Sequence, residues 1–255
     1  MVDRVSAVGT DPLAPLVALP GVADAAERAR DALSAVHRHR ANLRGWDKTA
    51  TEASWRAGRS SAAIVGGSVK LRRDGGLVDP VLAGAMRGAQ ALHRHPLDPL
   101  SGVFRRAPAQ ALARLHMLAA ADLVDDPDDL GRPRAGADVA ARLDLLGQLI
   151  SGATSVPGPV LAAVVHGELL GLDAFPTANG IIARAASRLV CTSTGLDPHN
   201  LGVPEVTWLK RINDYRSFAR GFAGGTPEGL GNWILLCCEA LEAGAAEAKS
   251  IADAV

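Results

Sequence analysis

The stretch with the most chemistry in it is Asp173-Ala-Phe-Pro-Thr-Ala-Asn-Gly-Ile-Ile-Ala-Arg184. An apolar run from Val160 to Leu172 precedes it, and a second helical pattern, Ile181 to Cys191, follows. Asn179-Gly180 between them spells a tight turn. A turn that opens a helix leaves backbone N–H groups unpaired, and those groups together with the helix dipole attract anions, phosphate above all. Arg184 lies one turn into the new helix, within reach of a phosphate held there. The same spelling equally suits a helix–turn–helix with no ligand, and these residues alone leave both readings open.

Other reactive residue types are scattered. His166 lies seven residues before Asp173, so a continuing helix would put both on one face as an acid/base pair. A histidine that merely packs between helices is the competing reading. His37-x-His39 and His93-x-His95 are spaced two apart, which points the rings to different sides of a helix and gives no metal site. Asp125 to Asp129 lacks the EF-hand pattern, and Gly221 to Gly231 lacks the spacing of a dinucleotide loop. The three cysteines, Cys191, Cys237 and Cys238, include no CxxC pair and suit a reducing, cytoplasmic setting. No metal site is expected.

The elements that must position these residues are helices. Of the 255 residues 48% are hydrophobic but only 4% aromatic, so the core must be built from Ala, Leu and Val, and Ala and Leu favour helix. Helical periodicity predicts helices over Val22–Leu43, Thr49–Val65, Pro80–His93, Pro108–Leu123, Val139–Ile150, Val160–Leu172, Ile181–Cys191, Glu205–Ala219 and Pro227–Val255. Pro96 and Pro99 are read as a break. Asp74-Gly75 is a turn signal whose flanks make at most one short β-hairpin. The fold class is all-α. Lys plus Arg and Asp plus Glu balance at 27 each, which gives no reason to expect nucleic acid or a membrane surface as a partner. The N-terminus has no apolar signal region and no membrane span is expected. The excess of Arg over Lys, with abundant Ala, suggests a bacterial source.

The 173–184 segment resembles the Fic signature, H-x-F-x-(D/E)-G-N-G-R-x-x-R, without gaps. Phe175, Asn179, Gly180 and Arg184 fall on its Phe, Asn, second Gly and last Arg. The flanks agree: the apolar helix with His166, Leu115-His116-Met-Leu followed by Gly131-Arg-Pro-Arg134, and Tyr215 and Trp233 further on resemble the family in order and spacing. The resemblance implies a Fic-type helical core over residues 101–255, a helical extension over 21–100 and a loose arm over 1–20. It also implies a site for ATP or another nucleotide on Phe175, Thr177, Asn179, Gly180 and Arg184.

Fic enzymes transfer AMP from ATP to a protein hydroxyl, with the motif His as base. Asp173 stands at that position. A carboxylate, with an ordinary pKa of ~4, is a poor base near neutrality. Losing a positioned base typically costs ~10²–10⁴ in rate. Thr177 replaces the acidic Mg²⁺ ligand and is a weaker ligand for a hard cation. Ala178 replaces the first Gly of the anion hole, and Ile181 deletes a phosphate-binding Arg. Ser61-Ala-Ala-Ile-Val65-Gly66 resembles the family's inhibitory (S/T)-x-x-x-E-(G/N), with Val65 in place of Glu. Only Ala135 to Asp138 separates Arg134 from the next helix, too few for the family's target-clamping hairpin.

These departures imply a pseudoenzyme that binds a nucleotide, a phosphate-containing ligand or a partner protein. An enzyme with altered phosphate-transfer chemistry on Asp173 and His166 is an alternative, as is residual protein adenylyl transfer. A third reading is self-association through helices 22–65 and 205–250.

Overall fold

The computed structural model describes residues 11–70 and 79–255. Among them are thirteen α-helices and no strand. The helices are α1 (Ala14–Val17), α2 (Val22–His37), α3 (Arg40–Gly45), α4 (Asp47–Ile64), α5 (Pro80–Ala91), α6 (Leu97–Arg106) and α7 (Pro108–Ala120). They continue with α8 (Ala137–Gln148), α9 (Gly158–Leu172), α10 (Asn179–Ser193), α11 (Pro204–Lys210), α12 (Ile212–Ala223) and α13 (Pro227–Asp253). The hairpin expected around Asp74-Gly75 lies outside the described residues.

The helix ends follow local chemistry. Asp79 accepts a hydrogen bond from the Leu82 N–H at 3.0 Å, and Pro80 opens α5 where no N–H is needed. Thr226 and Pro227 do the same for α13, with Gly229 N–H donating to Thr226 Oγ1 at 3.1 Å. Four elements differ from those expected. The 22–43 helix divides at His39, which is extended (φ −62°, ψ 137°) and caps α3 by accepting from the Ala41 N–H. Residues 97–106, read as a proline break, form α6, because Pro99 falls in its first turn, where the missing N–H has no partner to lose. The 205–219 helix divides at Arg211, which leaves helical geometry (φ −107°, ψ 40°) and pairs with Asp214 and Glu239. The segment 11–20, expected as part of a loose arm, carries α1, because the Asp11 carboxylate accepts hydrogen bonds from Thr154 and Ser155. Those bonds hold the Asp11 carboxyl down at about 2.

α9 is the central helix. It is apolar all round and buries ten of its fifteen residues, from Pro159 to Leu169. α10 packs antiparallel to it through the short turn at 173–178, and α2, α12 and α13 enclose its other sides. α4 packs on α5 and α11, and α5 on α7. Close approach needs glycine at two crossings. A Cβ on Gly84 would sit 1.9 Å from the Ala119 carbonyl oxygen, and one on Gly167 would sit 2.6 Å from the Trp233 ring nitrogen. α8 is peripheral and buries Leu146 alone. After it the chain runs through one π-helical turn, Leu149–Ala153. No helix among the described residues is long and apolar enough to cross a membrane.

Candidate functional site

The turn between α9 and α10 forms as its sequence suggests. Asp173 ends α9 in the left-handed region (φ 46°) and Ala178 opens α10 from the same region (φ 54°). Asn179 ties the turn together from inside. Its Oδ1 accepts from the Phe175 N–H at 3.2 Å, and its Nδ2 donates to the Leu169 carbonyl at 2.9 Å. Phe175 is buried and stacks on His116, with ring centroids 4.8 Å apart. The Gly131 N–H donates to His116 Nδ1 at 2.8 Å, so the ring proton sits on Nε2 and is donated to Thr177 Oγ1 at 3.1 Å. Burial pushes the His116 pKa down, which agrees with a neutral ring.

Asp173 and His166 are not brought together. Asp173 is exposed and receives Arg134, whose Nη2 donates to Oδ2 at 2.8 Å and whose Nε donates to the Asp173 carbonyl at 2.9 Å. His166 is wholly buried among Trp208, Tyr215 and Trp233. Its ring bonds Tyr215 Oη at 2.8 Å. The physical reason is the turn itself: Asp173 leaves helical geometry, so the shared face on which the pairing depended ends at Leu172.

Arg184 is the largest departure from an open phosphate site. Its side chain is buried to 1% exposure. Nε donates to Ser61 Oγ at 2.9 Å, Nη2 to the Ser61 carbonyl at 2.9 Å, and Nη1 to Tyr215 Oη at 3.2 Å. Tyr215 Oη accepts from Arg184 and shares one hydrogen bond with His166 Nε2, while His166 Nδ1 has no partner among the described residues. Burial first, and the Arg184 charge second, push the His166 pKa well down, so a neutral ring is the stable form. Burial also raises the Tyr215 pKa. The chain Ser61–Arg184–Tyr215–His166 thus couples α4, α10, α12 and α9 through one set of buried hydrogen bonds.

Sequence reasoning missed both partners of Arg184. Ser61 was visible as the first residue of the inhibitory-type pattern, and Tyr215 as a lone tyrosine in a closing helix, but nothing local in the sequence says that they meet. Val65, at the position of the inhibitory Glu, is 43% exposed, and its Cγ1 lies 3.2 Å from where a Cβ on Gly180 would be. So the end of α4 reaches over the turn, with the Val65 isopropyl group against Gly180. Arg216 of α12 donates to the neighbouring Ile64 carbonyl at 3.2 Å and covers the same end of α4. For Mg²⁺ the turn offers the Thr177 hydroxyl, already engaged by His116, and the Asp173 carboxylate, already paired with Arg134, so the residues present do not fit a divalent cation. Among the described residues no group of three His, Cys, Asp or Glu side chains is placed to hold a metal.

The helical fold has a counterpart among solved structures. A Fic family protein from Desulfovibrio desulfuricans G20 superposes with a TM-score of 0.68, covering 91% of this chain and 74% of that one at 17% identity. The fold is the Fic fold. No protein-family model matches the chain, and no curated protein matches it. On the Fic fold, then, Asp173 occupies the exposed start of the turn, and Arg184 is held inside by α4.

Proposed function

We propose that this chain is a Fic-fold pseudoenzyme, a binding protein for a phosphate-containing ligand that carries out no adenylyl transfer. The observation that supports it is the state of Arg184, a buried guanidinium with no carboxylate within 4.0 Å among the described residues. Its three hydrogen-bond partners are two oxygens of Ser61 and the Tyr215 hydroxyl, all neutral. Its Nη1 lies 3.3 Å from the Cβ position of Gly180, directly under the first turn of α10. The positive charge and the helix N-terminus therefore act on the same spot, which favours an anion seated on the turn backbone. The same bonds keep the guanidinium from swinging out to grip a nucleotide's terminal phosphate. Asp173, taken by Arg134, offers no base that the buried His166 could assist.

Two measurements on the whole chain test this reading. Incubation with labelled ATP and candidate target proteins is expected to label nothing; labelling that Asn179→Ala abolishes would sink the pseudoenzyme reading. In thermal-shift titrations ATP or inorganic phosphate is expected to raise the Tm, since a ligand that binds only the folded state stabilises it by mass action, ~2.7 kcal/mol at a hundredfold excess over Kd. The shift should disappear in Arg184→Met, which removes the charge, and persist in Ser61→Ala, which keeps it. A Tm indifferent to both ligands rejects the binding role.

A further inference from the structure

The far end of α10 carries a second cleft that the motif does not use. α10 has 15 residues, and at ~1.5 Å per residue its last turn lies ~22 Å from the motif turn. There the C-terminal turns of α6 and α10 and the π-helical turn after α8 enclose a cleft of about 360 Å³. Small-molecule sites typically fall at ~300–1,000 Å³. Its floor is apolar: Ile150, Leu161 and Val190 are all buried. Its rim carries Arg105 and Arg106, both exposed. Among the described residues neither guanidinium has a carboxylate within 4.0 Å, in contrast to Arg94, Arg134, Arg142 and Arg211, which all do.

Two facts separate this rim from ordinary compensation of a helix end. Three of the last four carbonyls of α10 are already covered: Ser193 Oγ and Thr194 Oγ1 donate to Val190, at 3.2 and 2.8 Å, the Asp197 N–H to Cys191 at 2.9 Å and the Gly195 N–H to Thr192 at 3.1 Å. Asp11, the carboxylate bonded to the loop that follows the π-turn, is taken up by Thr154 and Ser155. Two cations in the last turn of α6 therefore line a shaped, apolar-floored space, with no carboxylate partner among the described residues. At its mouth Gly152 reverses the chain (φ 113°), with nothing within 4 Å of its Cβ position, and beside it stands the exposed Ser151.

We propose that this cleft binds a phosphomonoester carrying a compact apolar group. The guanidiniums of Arg105 and Arg106 take the phosphate, and Ile150, Leu161 and Val190 take the apolar part. The charges match: a phosphomonoester carries ~−1.5 to −2 near neutrality, against two fixed positive charges. A monoanionic carboxylate would leave one guanidinium unpaired. Arginine's planar fork also suits phosphate oxygens pairwise.

The test is phenyl phosphate titrated into the isotope-labelled full chain, read by amide chemical shifts. Saturable shifts are expected at Ser151, Gly152 and Ser193. Inorganic phosphate and phenol, each offering half the ligand, should bind at least tenfold more weakly at these amides. The double variant Arg105→Ala/Arg106→Ala should weaken phenyl phosphate at least tenfold while keeping the parent Tm, because both side chains are exposed. Unmoved amides at this end, or equal affinity in the double variant, overturn the proposal. Shifts confined to Thr177–Ile181 overturn it too while leaving the motif-turn reading intact. Shifts confined to the far end support it and count against binding at the motif turn.

Discussion

Two buried arginines stand one turn apart on α10, and their surroundings differ in kind. Arg188 is 6% exposed and faces Glu205, itself 2% exposed, at 2.8 Å, with Asn200 taking its other donors at 2.9 and 3.0 Å. It is a closed ion pair. Arg184 is buried more deeply and has only neutral oxygens. A structural arginine tends toward the first arrangement, since an unpaired buried charge is costly. The second arrangement leaves a charge unneutralised, next to a helix N-terminus. The difference separates an arginine closed in an ion pair from one bonded only to neutral oxygens among the described residues.

The contrast can be broken most directly at Arg188. Arg188→Met strands Glu205 in the core and should cost ~3–5 kcal/mol in urea unfolding. Arg184→Met strands only neutral acceptors and should cost less, ~1–3 kcal/mol. Equal losses for the two variants would erase the distinction. A smaller effect concerns acid. The folded-state pKa of His166 is depressed, so the unfolded chain takes up its proton first as pH falls, and the stability that His166 contributes above about pH 6.5 declines below it. His166→Gln should flatten the Tm-against-pH curve between about pH 7 and 5; a curve of unchanged slope would mean that the ring is not held neutral against Arg184. The smallest effect belongs to the exposed pair. Arg134→Ala should change stability by no more than ~1 kcal/mol, because surface ion pairs are screened. A larger loss would show Asp173 to be part of the buried network.

The two arginines also mark what the sequence could convey. The turn at 173–180 was legible because its signals are local: an apolar run, Asn-Gly, then renewed helical spacing. The all-helical class followed from the same kind of signal repeated along the chain, and the Fic likeness from the resemblance of 173–184 to the family signature. What Arg184 touches was not legible. Ser61 is 123 positions away and Tyr215 is 31, and neither residue type announces such a partner. The supposed His166–Asp173 pair came from extending helical spacing through a residue that in fact adopts φ 46°. Pro99 misled for a related reason, since a proline reads as a break until its place in the first turn is known. The Arg105–Arg106 cleft had no sequence signature at all, because its walls come from α6, α9, α10 and the π-turn.

α8 fully buries one side chain, Leu146, and otherwise holds to the rest by the half-buried Leu143 and the Arg142–Glu168 pair to α9, whereas α9 and α10 are buried along most of their length. Helices so unequally anchored open on different scales: the amides of α9 and α10 should exchange with solvent only on global unfolding, and those of α8 far sooner. The π-turn that walls the Arg105–Arg106 cleft continues directly from α8 and shares its slack on one side, while Ile150 anchors it on the other. The cleft is therefore a space with one firmly held wall, on α9 and α10, and one loosely anchored wall, after α8.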